Sequence, residues 1–128
     1  MPQKPLVTAA ASLEITMGAI LISVPDFPCL LLFAAKAEGV SIPIARFAGI
    51  GLIALGIACW PPPAGSRPGA MVGLLAFNAG VAILLTWVGV GTAFRGSLLW
   101  PAAILHAAIA VALLPQLVSG AKTPSISE

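Results

Sequence analysis

Four apolar stretches, about residues 6–24, 42–60, 69–90 and 97–118, decide most of what this chain can become. Each is close to the ~20 residues a helix needs to cross a ~30 Å hydrocarbon core. The runs are continuous. Strands of a membrane barrel alternate polar and apolar residues, so a barrel does not fit. Composition closes the soluble alternative, because 59% of the 128 residues are hydrophobic and only 8% are charged. A soluble domain uses roughly a quarter charged residues to solvate its surface. With a mean hydropathy of +1.08, this exterior calls for lipid. The expected fold is all-α: a single transmembrane domain over residues 1–128, built as a polytopic membrane four-helix bundle.

Punctuation supports these limits. Pro25 stops the first run, and Pro61, Pro62 and Pro63 stop the second. Pro101 falls in the first turn of the fourth, where its missing N–H costs nothing. Trp60, Trp87 and Trp100 lie near run ends, as interfacial indoles do. Between the first two runs, about residues 29–36 read as a short interfacial or re-entrant half-helix, with a continuation of the first helix as the alternative. The link 61–68, with Arg67, reads as a stiff polar hairpin turn, and the tail from Gly120 as frayed. Lys4 and Ala35-Lys36-Ala37 loosely resemble a cleavable leader, but Glu14 interrupts its apolar region, so the first span is expected to be retained. Lys4, Arg67 and Lys122 on one side, against Lys36 and Arg95 on the other, favour a multi-pass inner-membrane protein with both termini cytoplasmic.

Each apolar run carries one strongly polar residue: Glu14, Arg46, Asn78 and His106. A charged side chain at the bilayer centre costs at least ~2.5–3.5 kcal/mol, so such a residue is a functional-site candidate by default. Counting 1.5 Å per residue puts Glu14 and Asn78 ~12–14 Å deep from the terminal side and His106 ~18 Å deep. Arg46 enters from the opposite face, about 8–10 Å short of the midplane, and can snorkel outward or bend toward Glu14. Ala10 and Gly18 flank Glu14 at four-residue spacing, and Ala102 and Ala110 flank His106. Small neighbours admit a second helix backbone, so both residues are expected in helix interfaces. The expectation is a buried Glu14–His106 contact, joined by Asn78. Interhelical glue is the plainer role for Asn78, a backbone partner for His106, a headgroup anchor for Arg46, and a neutral or Arg46-paired structural group for Glu14. The pairs Ala45/Gly49, Gly69/Gly73 and Ala76/Gly80 announce either a tight bundle or a dimer.

No catalytic signature is present. The sequence has no glycine-rich phosphate loop and no cysteine pair at metal spacing. Cys29 and Cys59 read as small hydrophobes. A net charge of +2 without a basic run argues against nucleic acid. No cofactor and no metal are expected; the expected partners are the lipid bilayer and a larger membrane complex or a second copy.

Leu13-Glu14 with Gly18 and Pro25, Ala45-Arg46 with Gly49-Ile50, Ala58-Cys59-Trp60-Pro61, Phe77-Asn78, and Leu99-Trp100-Pro101-Ala102 with Leu105-His106 together resemble a group of small bacterial four-helix membrane proteins. That resemblance spans most of residues 13–106 and implies a fold but no activity. Glu14 is also similar to the first-helix glutamate of the small multidrug resistance transporters, which exchanges protons for cationic drugs. The chain departs from that family in having no tyrosine and no aromatic-rich motif over 43–51. The expected function is a non-catalytic accessory or assembly subunit, or a homo-oligomer; the alternative is a proton-coupled small-molecule transporter or binding protein using Glu14.

Overall fold

The computed structural model describes residues 3–60 and 68–120. The 61–67 part of the expected hairpin turn, with Arg67, and the tail beyond Gly120 lie outside the described residues. Among the described residues the chain is all-helical, with α1 at Gln3–Ser23, α2 at Asp26–Phe33, α3 at Ser41–Cys59, α4 at Pro68–Gly91 and α5 at Leu99–Gly120. Three stretches are long and apolar enough to cross a membrane: Pro5–Ser23, Ser41–Cys59 and Gly69–Gly91. The apolar part of α5, Leu99–Pro115, is shorter.

The helices pack as two pairs, α1 against α3 and α4 against α5, with thinner contact between the pairs through α3–α4 and α1–α5. The first pair is close because glycine makes it so. A Cβ placed on Gly18 would sit 2.6 Å from the Gly49 carbonyl oxygen, and one on Gly49 would sit 2.6 Å from that of Gly18. Neither position tolerates a side chain without parting the helices, which is how small residues drive helix association in lipid. Ala45/Gly49 thus serves the interior of the fold. Gly69/Gly73 and Ala76/Gly80 do not: a Cβ on Gly69 or Gly80 would meet nothing within 4 Å, and one on Gly73 only Leu55 at 3.8 Å.

The short helix α2 begins three residues before the half-helix expected over 29–36. Pro25, just past the end of α1, sits helically at its N-cap and Pro28 occupies the first turn, where a missing N–H breaks no bond, so the proline that ends the first span also starts α2. The helix ends when Ala34 turns left-handed at φ 54°, its N–H donating to Leu30 O at 3.0 Å. Two α2 carbonyls left open at that end take N–H groups from the α4–α5 loop. Gly96 donates to Leu32 O and Leu98 to Leu31 O, both at 2.9 Å. Backbone meets backbone there, and the path of a Cβ on Gly96 is blocked by the Leu31 carbonyl. The Asp26 carboxylate accepts from the Ala37 N–H at 3.1 Å, folding the exit segment back along the helix. Hence α2 is fastened to the second helical pair although it follows α1 in the chain.

Along the helices the interior divides into three layers. Val7, Ala10, Ala11, Cys59, Leu74, Ile109 and Leu113 form a buried apolar layer contributed by all four long helices. Next comes the layer of Glu14, Asn78 and His106. Beyond it, Met17, Ile20, Pro28, Leu31, Ala102 and Leu105 help to wall an apolar cavity of about 280 Å³ between α1, α2 and α5.

Candidate functional site

Asn78 is the hub of the middle layer. It is completely buried on α4, one turn beyond Leu74, which is also completely buried. Its Nδ2 donates to the Leu74 carbonyl at 2.8 Å, which fixes the orientation of the amide and leaves Oδ1 as an acceptor. His106 on α5 stands 2.7 Å away, Nδ1 to Oδ1. An acceptor on Asn78 pairs with a donor on the ring, so Nδ1 carries a proton in this arrangement. Phe77 braces the ring edge-to-face, with centroids 6.1 Å apart. Among the described residues, Nε2 has no partner.

Glu14 reaches the same centre from α1. It is 2% exposed, and Ala10 and Ala11, both buried, lie one turn below it. Its side-chain hydrogen-bond neighbour is Asn78, whose second amide proton is free for it. The other carboxyl oxygen, Oε1, is buried with no hydrogen-bond partner. Burying a carboxyl group without satisfying both oxygens is expensive, so an orphaned oxygen at this depth asks for a reason.

Of the expected Glu14–His106 contact joined by Asn78, the structure has Asn78 bonded to His106 with Glu14 beside it. Both residues meet the two ends of one amide, and Asn78 separates them. α1 and α5 share only slight contact, whereas α5 packs extensively on α4, and the His106 ring turns to Asn78 on that helix. Arg46 is not part of the cluster. The inner face of α3 is Gly49, Leu52, Gly56 and Cys59, all buried. Arg46 lies about 100° around the helix from that stripe, at 100° per residue, and is exposed. Cys59 belongs to the apolar layer, where its thiol lies 3.6 Å from the Ala70 carbonyl oxygen. Cys29 is a half-buried free thiol on α2.

Among the described residues no group of three His, Cys, Asp or Glu side chains is placed to hold a metal ion. Chemically, the layer is a carboxyl group, an amide and an imidazole, with an orphaned oxygen on Glu14. The cavity beyond it was invisible to sequence reasoning, because its walls come from three helices far apart in the chain. No protein-family model, curated protein or solved structure matches this chain.

Proposed function

We propose that the chain is a four-span protein of a bacterial inner membrane, with α2 as a half-helix at one face, acting as a non-catalytic accessory or assembly subunit or as a homo-oligomer. At 22 residues, α5 is ~33 Å long and long enough to be the fourth span. Both termini then lie on the side of Lys4, Arg67 and Lys122, the cytoplasmic side by their excess of positive charge.

The observation that carries the subunit reading is the outer face of α4. Gly69, Ala76 and Gly80 are exposed there, with open space around both glycines. On α1 and α3 the same kind of residue admits a second backbone; among the described residues nothing packs where a side chain on Gly69 or Gly80 would go. A helix of another subunit, or of a second copy, fits that surface. Native mass spectrometry from mild detergent tests this. A dimer or a stable heteromeric partner is expected, and Gly80→Leu is expected to lower its yield while the monomer stays folded. A monomer that never carries a partner, whatever occupies position 80, contradicts the reading.

The orphaned Oε1 of Glu14 favours a second reading, a proton-coupled transporter or binding protein. Its test is Glu14→Gln in reconstituted vesicles. Loss of pH-dependent uptake with the fold intact supports transport, whereas a change confined to thermal stability or complex yield supports the subunit.

A further inference from the structure

The apolar cavity between α1, α2 and α5 begins at one end of the bundle and runs inward. On α1 its walls are Met17 and Ile20, in the last two turns. On the other side they run from Leu98, at the threshold of α5, to Leu105, about 10 Å of helical rise. It is preformed, because the Leu98 N–H donates to Leu31 O at 2.9 Å and holds the α2 wall in place. Among the described residues its walls carry no polar side chain, and a cavity of about 280 Å³ walled in carbon stays dry and takes apolar guests. Phe27, Leu98 and Leu105 are each about half exposed, so the cavity is open along one side of the bundle.

One uncommitted charge stands at its outer end. Arg95 precedes Gly96, whose N–H donates to Leu32 O, and both Leu32 and Leu98 line the cavity. Arg95 is exposed and, among the described residues, makes no ion pair. The other charges at this end are balanced or engaged. Lys36 and Glu38 stand two residues apart with opposite sign, and the Asp26 carboxylate accepts from the Ala37 N–H at 3.1 Å.

We propose that the α1–α2–α5 cavity is a phospholipid site, in which one acyl chain enters by the open side and runs down α5 while the Arg95 guanidinium meets the lipid phosphate. A phosphate at the membrane face with hydrocarbon descending from it is how a bilayer presents this molecule, and the planar fork of arginine suits phosphate. Free phosphate leaves the carbon walls unused, and free hydrocarbon leaves the arginine unused. The bound chain also joins the two helical pairs where α1 and α5 share only slight contact. The inference rests on the membrane reading, which supplies the lipid.

The test is a native mass spectrometry titration of the delipidated full-length chain in detergent, with three probes. Palmitoyl-oleoyl phosphatidylglycerol has both halves, the diacylglycerol with the same chains lacks the phosphate, and dihexanoyl phosphatidylglycerol lacks the long chains. The first is expected to bind as one tight copy per chain, about tenfold more tightly than the diacylglycerol, the worth of one charge-assisted hydrogen bond. The dihexanoyl lipid is expected not to be retained. Ala102→Phe, which fills the cavity, is expected to abolish the tight copy, and Arg95→Gln to bring the phospholipid down to the diacylglycerol. Equal affinity of phospholipid and diacylglycerol overturns the role of Arg95. Retention of the dihexanoyl lipid as tightly as the long-chain one, or undiminished binding to a folded Ala102→Phe variant, overturns the cavity. The probes need no variant, so a variant that fails to fold leaves their comparison decisive. A chain that stays monodisperse in water without detergent overturns the membrane reading and the lipid source with it, whereas a failed comparison in a detergent-dependent chain overturns the site alone.

Discussion

Asn78 is engaged at both ends of its amide: its carbonyl serves His106, one amide proton serves Leu74 and the other faces Glu14. Asn78→Leu removes all three at once and strands the His106 ring and Glu14, while the Leu74 carbonyl keeps its backbone bond within α4. A loss of about 1–3 kcal/mol is expected, read from unfolding in detergent, because stranding buried polar groups costs more than the net worth of the bonds. Glu14→Leu is expected to cost much less, because it removes the orphaned oxygen together with its desolvation penalty. Of this layer, the sequence shows that three polar residues share a depth. It does not show that Asn78 lies between the other two, which depends on how far each helix is rotated about its axis. The rotation of α3 was partly legible, since Ile42 and Ile50 flank Arg46 while Ala45 and Gly49 form the small-residue stripe that turns inward.

At the scale of elements, close packing of α1 on α3 hangs on two backbone oxygens that lie where a side chain would go. Gly49→Leu is expected to destabilise the chain by about 1–3 kcal/mol or more, because the obstacle is backbone and cannot rotate away. A smaller change tests the end of α2. Ala34 holds a left-handed conformation that costs an alanine roughly 1 kcal/mol and a glycine almost nothing. Ala34→Gly is therefore expected to raise stability by up to about 1 kcal/mol, measured by the same unfolding. Helix ends were readable where proline or tryptophan stood at them. The start of α2 was not, because a proline in a first turn and a proline that breaks a helix are the same residue seen from different sides. Nor was its docking, since the Leu31, Leu32, Gly96 and Leu98 backbone bonds join segments more than 60 residues apart and involve no distinctive side chain.

Taken whole, the molecule separates two uses of small residues that look identical in sequence. Gly18 and Gly49 hold α1 and α3 together; Gly69 and Gly80 on the outer face of α4 have open space around them among the described residues. Paired substitutions make the distinction measurable. Gly49→Leu is expected to lower monomer stability, while Gly80→Leu leaves it within about 0.5 kcal/mol and changes only assembly. The interior is ordered as apolar layer, polar layer and cavity. The Asn78–His106 bond of the polar layer lies within the second helical pair, while Glu14 beside Asn78 and the Cys59 thiol beside the Ala70 carbonyl bring hydrogen-bonding groups across the two pairs. The claim on which the rest stands is that Asn78 and His106 form a direct interhelical bond at the centre of this layer. A double-mutant cycle of Asn78→Leu and His106→Phe, measured by reversible unfolding in detergent, tests it most directly. The predicted coupling is about 0.6–1.7 kcal/mol, the range of interhelical hydrogen bonds in membrane bundles. Effects that simply add, within about 0.3 kcal/mol, would contradict it.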